Sequence, residues 1–299
     1  MKLEVGARTD LGKRKHTNED HYATYLPGDS GLPHLKDGGL LVVADGLGGH
    51  FAGEVASKLA VTIMREFLTI ECSDPSSIPK LLVETALKAN AQIHGANRGL
   101  KGFFRPMGTT LTAAFVESDK AYFCQVGDSR AYLLRGREIE QVTEDHSWVD
   151  EQVRMGLMTE EEAMRDPRRN VLTRTLGTRP ETQVDTYQKE LSPGDILVLC
   201  SDGLSNMVRD EEILETCSEA ETPQDAAEKL VNLANERGAP DNVTALVAVA
   251  EPSRSQFASK KLRRSAKQAL RTGLITLLIS AAVIGVFLVG YYVGKRNIL

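Results

Sequence analysis

Residues 40–46 read Leu-Leu-Val-Val-Ala-Asp-Gly. An apolar run with β-branched residues at its centre drives a strand into a core. The run stops at Asp45. Glycines at 46, 48 and 49 then let the chain turn sharply, because glycine meets no steric penalty at positive φ. The arrangement expected is a carboxylate at the end of a buried strand, beside an open loop that a ligand can approach. Such an oxygen donor suits a hard divalent cation.

The arrangement recurs along the chain. Runs at 109–116, 120–126, 130–135, 195–201 and 243–249 read as strands rich in Val, Leu, Thr, Ala and aromatics. Asp128 lies in a Gly-containing turn between two of them, Asp202-Gly203 follows a third, and Asp241 precedes the last. Any one of these aspartates reads as an ordinary turn residue or cap. Four at strand ends, in strands that share a core, point to carboxylates converging on one place. Their mutual repulsion is costly without cations. Cys72, Cys124, Cys200 and Cys217 are widely spaced and contain no Cys-x-x-Cys pair, which argues against thiolate zinc and against a disulfide framework. Each reads as a small buried hydrophobe. The ions implied are therefore Mg²⁺ or Mn²⁺. A pair of them about 3.5–4 Å apart can polarise a phosphoryl group and generate hydroxide near neutral pH.

Helical spacing fills the gaps between strands. Apolar residues at 55, 56, 59, 60, 63, 64 and 67 mark one face of a helix over 54–68, and Leu82, Ala86, Ala89 and Ile93 mark another over 77–97. Asp210 is expected to cap a short helix. Thr222 caps a further one, with Pro223 at its first position and Ala226, Ala227, Leu230, Val231 and Ala234 inward. Residues 144–180 are irregular and polar, with a capping box from Thr159 to Glu162. A segment of that length between strands reads as a lid or a partner-contacting insertion.

The chain of 299 residues is long enough to bury a substantial core. Its net charge of −5 gives no footprint for nucleic acid as a main partner. No secretory signal is expected at the N-terminus. Residues 274–293 carry no charge, and a helix rising about 1.5 Å per residue over that length crosses a roughly 30 Å hydrocarbon core. Tyr291 and Tyr292 close it as interfacial aromatics. Lys260, Lys261, Arg263, Arg264, Lys267 and Arg271 precede it, against only Lys295 and Arg296 after it, so the positive-inside rule places the N-terminal part in the cytoplasm. The organisation expected is a domain at 1–250, a basic juxtamembrane linker at 251–273, a transmembrane helix at 274–293 and a short tail at 294–299.

Seven stretches, in order over nearly all of residues 1–250, carry a resemblance: Asn18-Glu19-Asp20, Val43-Ala44-Asp45-Gly46-Leu47-Gly48-Gly49-His50, Met107-Gly108-Thr109-Thr110, Val126-Gly127-Asp128-Ser129-Arg130, Leu172-Thr173-Arg174-Thr175-Leu176-Gly177, Ser201-Asp202-Gly203-Leu204 and Gly238-Ala239-Pro240-Asp241-Asn242. The chain resembles the metal-dependent Ser/Thr protein phosphatases of type 2C, the PPM family, in their bacterial form. The resemblance implies an α+β fold, a four-layer αββα sandwich in which two antiparallel sheets are flanked by helices. It implies that Asp45 bridges two catalytic Mn²⁺ or Mg²⁺ ions, that the Gly46 carbonyl serves the second, and that Asp202 and Asp241 complete the first. Asp128, with Asp202, matches a pair that holds a third, weaker metal. Glu19 and Asp20 match acids that orient metal-bound waters. The reaction implied is attack of metal-activated water on phosphoserine or phosphothreonine in a protein, countering a Ser/Thr kinase. Residues 144–180 match the family's variable flap, where substrate selection is expected.

Two positions depart from the family pattern. Lys15 stands where the phosphate-binding arginine is expected, with Arg14 one residue away; either Lys15 acts as a point charge or the loop presents Arg14. Leu47 stands where many eukaryotic members carry a histidine proposed as general acid, so a metal-bound water or solvent must protonate the leaving serine. His50, nearby in sequence, reads as a loop-stabilising histidine rather than a replacement acid, and for His146 and Arg174 a structural role stands beside a substrate contact. Among rival readings, a nucleotide loop at Gly46-x-Gly48-Gly49 fails because position 51 is Phe. A phosphatase of small phosphoesters is a second rival. A third is a membrane-tethered, non-catalytic phosphoprotein-binding or scaffold protein on the same fold.

Overall fold

Side-chain alternation along the strand at Gly39–Leu47 sets the layers. Leu40, Val42 and Ala44 face one way and Leu41 and Val43 the other, and all five are fully buried. Both faces of this strand must therefore be covered. In a computed structural model of the chain, which describes residues 1–29, 37–48, 51–70, 74–99 and 106–251, helices cover one face and a second sheet covers the other. Gly49, His50, Cys72, the basic linker beyond Glu251 and the span at 274–293 lie outside the described residues.

The elements run β1 (Leu3–Asp10), β2 (Asp20–Tyr25), β3 (Gly39–Leu47), α1 (Phe51–Met64), α2 (Ile78–Gly99), β4 (Gly108–Thr109), β5 (Leu111–Glu117), β6 (Lys120–Val126), β7 (Arg130–Arg135), β8 (Glu138–Gln141), α3 (Trp148–Arg154), α4 (Glu160–Arg165), β9 (Asp185–Glu190), β10 (Ile196–Cys200), α5 (Asp202–Ser205), α6 (Asp210–Glu219), α7 (Pro223–Glu236) and β11 (Val243–Ala250). One antiparallel sheet has the order β1-β11-β10-β7-β8; the other is β2-β3-β5-β6-β9, with β4 paired to the end of β3. Leu41, Val43, Ala114, Phe123, Leu133, Leu199 and Leu246 interdigitate between the sheets. Ala56, Ala60 and Met64 of α1 and Leu82, Ala86, Ala89 and Ile93 of α2 seal the outer face of the β3 sheet. Ala226, Ala227, Leu230, Val231 and Ala234 of α7, with Ile213 and Cys217 of α6, seal the other. The four-layer αββα sandwich is thus present. Cys124, Cys200 and Cys217 are buried, and burial pushes each thiol up to about 12, which fits inert core residues.

Several local readings are corrected. β3 does not stop at Asp45. It runs on to Leu47, pairing Gly46 with Thr109 and Leu47 with Gly108, so Asp45 sits inside the strand. The helix expected over 54–68 begins at Phe51 and tightens into a 3₁₀ turn over Arg65–Thr69. Arg209, not Asp210, is the N-cap of α6; Asp210 lies in its first turn. The insertion holds a second helix, α3, capped by Ser147. Among the described residues no helix is long and apolar enough to cross a membrane.

Candidate functional site

Both sheets send acids to the same end of the sandwich. Asp20 opens β2 directly opposite Asp45 on β3. Asp128 lies in the turn by which the chain leaves the β3 sheet at β6 and enters the other sheet at β7. Asp202 follows β10 in the first turn of α5, and Asp241 lies two residues before β11.

The backbone around Asp45 is held by the Met107–Thr110 motif. Thr109 Oγ1 and the Thr110 N–H donate to the Asp45 carbonyl at 2.8 Å each, and the Asp45 N–H donates to Thr110 Oγ1 at 2.9 Å. Thr110 Oγ1 also meets Ser129 Oγ at 2.7 Å, tying Asp45 to the Asp128 turn. Gly46 has no positive φ. It is glycine because a Cβ there would lie 2.1 Å from the Gly53 carbonyl oxygen and 2.7 Å from that of Glu19. The conformational freedom is used instead at Gly48, at φ +136°.

Burial and like charge dominate the electrostatics. Burial raises the Asp45 carboxyl well above the usual range, and Asp20, Asp202, Asp128 and Asp241 push it further. Asp128 is raised by burial and then by Asp202. Burial and Asp241 raise Asp202 to about 6, against a hydrogen bond with Asp45. Burial raises Asp20 to about 7, although hydroxyls of Thr244 and Ser201 donate to it. Lys15 brings a positive charge to this cluster. Its ammonium lies 2.7 Å from Asp241 Oδ1 and 3.9 Å from Glu19 Oε2. Burial alone would lower its pKa, but Asp241, Glu19 and Asp45 together raise it. Arg14 is exposed.

The sequence reading missed Asn242 as a positioning residue. Its Oδ1 accepts from the Glu19 N–H at 2.8 Å, and its Nδ2 donates to the carbonyls of Leu11 and Thr17 at 3.1 and 3.0 Å. One side chain next to Asp241 therefore shapes the loop that carries Lys15 and Glu19. Its position in the Pro240-Asp241-Asn242 motif was the available signal.

His146 is fully buried and structural. The Gly127 N–H donates to its Nδ1 at 3.1 Å, which leaves the proton on Nε2, 3.0 Å from Asp185 Oδ2. Burial, then the charge of Arg174, lowers its pKa. Arg174 donates to both Asp185 oxygens, at 2.9 and 3.0 Å, and lines an open recess of about 300 Å³ with Thr173, Thr175, Thr178, Arg179 and Glu181. Leu47 ends β3 and offers no proton.

The donor set fits hard divalent cations. Its side chains offer carboxylate oxygens, and Asp20 Oδ1 and Asp202 Oδ1 are buried with no hydrogen-bond partner among the described residues. Among those residues no three His, Cys, Asp or Glu side chains close on a single point as they stand; Asp241 is instead paired with Lys15.

This combination of sandwich and buried carboxylates defines a class of metal-dependent hydrolase, and the comparisons place it further. The family model described as protein phosphatase 2C matches residues 17–240. The serine/threonine phosphatase stp of Listeria monocytogenes is 38% identical over 246 residues, covering 80% of this chain and 93% of the relative. The crystal structure of the Mycobacterium tuberculosis serine/threonine phosphatase PstP/Ppp matches with a TM-score of 0.74 at 35% identity, over 84% of this chain and 100% of that one. The catalytic domain of PstP in complex with two manganese ions matches with a TM-score of 0.71 at 34% identity, over 84% and 99%. The chain belongs to the protein phosphatase 2C family and is a protein phosphatase.

Proposed function

We propose that the chain is a serine/threonine protein phosphatase that holds two Mn²⁺ or Mg²⁺ ions among Asp45, the Gly46 carbonyl, Asp202 and Asp241, and opposes Ser/Thr kinases at the inner face of a membrane. The observation that carries this reading is the gathering of partly buried carboxylates from both sheets at one end of the sandwich, where like charges raise one another. Bound ions of this kind supply Lewis-acid charge and lower the pKa of water. Asp45 would serve both ions, with Asp202 and Asp241 serving one and the Gly46 carbonyl the other. Asp128, with Asp202, is suited to a third, weaker ion. Glu19 and Asp20 would orient water by accepting hydrogen bonds from it. Lys15 takes the phosphate as a point charge, since its ammonium already stands among the acids while Arg14 faces solvent. Leu47 leaves protonation of the departing serine or threonine to solvent. Filled acidic positions favour an enzyme over a non-catalytic scaffold.

The membrane part of the proposal is supported by the uncharged run at 274–293 and the lysines and arginines that precede it. Fractionation of cells carrying the full chain tests it: recovery in the soluble fraction overturns the anchor without touching the chemistry. For the chemistry, phosphothreonine peptides are expected to be hydrolysed with added Mn²⁺ and not after chelation, and sugar phosphates far more slowly. Turnover that survives complete chelation would falsify the ion-dependent reading.

A further inference from the structure

Behind the carboxylates, hydrogen bonds form a closed circuit that starts and ends on Asp20. The Asp20 N–H donates to Asn18 Oδ1 at 3.1 Å. This fixes the Asn18 amide, whose Nδ2 donates to Thr9 Oγ1 at 2.8 Å. Thr9 Oγ1 lies 2.8 Å from Thr244 Oγ1. Thr244 Oγ1 donates to Asp20 Oδ2 at 2.6 Å, and Ser201 Oγ donates to the same oxygen at 2.7 Å. The Thr244 N–H in turn donates to Ser201 Oγ at 3.0 Å.

The donor directions follow from the inventory of protons. A hydroxyl has one hydrogen. That of Thr244 is committed to Asp20, so the contact between Thr9 and Thr244 runs with Thr9 as donor. The hydroxyl protons therefore run one way, from Thr9 to Thr244 and from Thr244 and Ser201 to Asp20 Oδ2. The circuit also joins the two sheets. Thr9 and Thr244 face each other across β1 and β11, while Asp20 belongs to β2 of the other sheet, opposite Asp45. Asp20, Ser201 and Thr244 are buried, where such networks are strong and a missing member is costly. The second Asp20 oxygen, Oδ1, has no partner among the described residues.

We propose that Thr244 is a positioning residue of the phosphatase centre: with Ser201 beside it and Thr9 behind it, it fixes Asp20 Oδ2 so that Oδ1 is presented, in a set orientation, to the acidic cluster. This rests on the reading that Asp20 serves water at the ion site. Thr244→Val keeps the shape and removes the hydroxyl. It takes one of two donors from Asp20 and leaves the Thr9 hydroxyl without its acceptor. Partners in such outer positions are typically worth about 10- to 100-fold in metal affinity or activity.

The test uses the full chain and four variants: Asp20→Asn, Thr244→Val, Thr244→Ser and Thr9→Val. The kcat and KM for p-nitrophenyl phosphate are measured with saturating Mn²⁺, and Mn²⁺ affinity is measured by calorimetry. Thr244→Val is expected to lower kcat about 10- to 100-fold, with KM within about twofold, and to weaken Mn²⁺ binding several-fold. Thr244→Ser restores the donor and is expected to recover kcat to within about twofold. Thr9→Val, one bond further out, is expected to lose about two- to fivefold. If Asp20→Asn keeps full kcat, the reading of Asp20 itself fails. If Asp20→Asn loses activity while Thr244→Val and Thr9→Val match the parent in kcat and Mn²⁺ affinity, the positioning role is overturned. A loss in Thr244→Val that Thr244→Ser does not rescue marks a packing effect and also overturns it. Should Thr244→Val fail to fold, a Thr9→Val variant with unchanged kcat and Mn²⁺ affinity decides against the proposal.

Discussion

At the acidic end of the sandwich Asp20, Ser201 and Thr244 are almost wholly buried, and hydrogen bonds reach Asp20 from Ser201 and Thr244, 181 and 224 positions away. In the insertion between β8 and β9, Met155, Leu157 and Met164 are 66%, 70% and 70% exposed. There α3 and α4 are held by local contacts: the Ser147 cap, the Thr159–Glu162 box, and Arg168 stacked 3.5 Å over the Trp148 ring. The contrast teaches where change is tolerated. The acidic end is over-determined by contacts from both sheets. The insertion is tied to the rest near its two ends, by His146 to Gly127 and by Leu176 and Gly177 to Thr109, Asn90 and Asn97, so the exposed surface of α3 and α4 between them is free to vary.

The largest effect is expected where the first region is altered without changing its shape. Asp202→Asn removes a charge and leaves the volume. Hydrolysis of p-nitrophenyl phosphate with Mn²⁺ is expected to fall by at least about a thousandfold, as for loss of an ion-holding group. Turnover within about tenfold of the parent would remove Asp202 from the ion site.

The same crowding of acids gives a pH dependence whose sign is set. Asp20 at about 7 and Asp202 at about 6 bind protons more tightly in the folded chain than in the unfolded one, where an aspartate titrates near 3.9. Raised folded values mean a stabilisation that is complete at acid pH and is lost as pH rises through them. Without metal, thermal stability is therefore expected to fall between about pH 4 and pH 7, by an amount of the order of a few kcal/mol. Added Mn²⁺ competes with those protons, so its stabilising effect should grow over the same window. Thermal unfolding in chelator and in Mn²⁺ from pH 4.5 to 8 checks both signs. A midpoint in chelator that climbs with pH contradicts the arrangement of charges.

At the rim of the acidic end the effect should be smaller. Lys15→Ala is expected to raise KM for p-nitrophenyl phosphate about tenfold, with a lesser change in kcat, because a phosphate contact is lost. Arg14→Ala, at an exposed side chain, is expected to leave both constants near the parent values. The reverse pattern would assign the phosphate to Arg14 and require the loop held by Asn242 to shift.

How much of this could be read beforehand depends on how far apart the partners lie. The face of α7 was legible because Thr222, Pro223 and the apolar positions obey local rules. The strands Lys120–Val126 and Arg130–Arg135 were legible for the same reason. β9 was not: Asp-Thr-Tyr-Gln-Lys-Glu is polar throughout and is a strand only because it completes a sheet edge beside β6. The end of β3 was misplaced because Gly46 looked like a turn residue, whereas its missing side chain makes room for Gly53 and Glu19. In the site, Asp45 and Asp202 showed through their Asp-Gly setting, and Asp128 and Asp241 through Gly-containing turns next to strands. Thr9 and Thr244 did not, since their hydroxyls act across the fold, and Ser201 stood in its stretch with nothing local to show that its hydroxyl reaches Asp20.

The smallest effect belongs to the insertion, and it decides whether the two regions are separable. Met155→Ser with Leu157→Ser replaces exposed apolar groups that contribute little burial, so the thermal midpoint should move by no more than about 1–2 °C. Trp148 is the single tryptophan of the chain, so its fluorescence reports whether α3 and the Arg168 stack survive. Turnover of p-nitrophenyl phosphate, which reaches only the acidic end, should match the parent. A phosphoprotein has surface to lay against the insertion, and its kcat/KM should change about three- to tenfold, chiefly in KM. If both substrates lose activity in parallel while the fluorescence and midpoint are preserved, the insertion is coupled to the chemistry. The path of that coupling would be His146, which binds the Gly127 backbone on one side and Asp185 on the other.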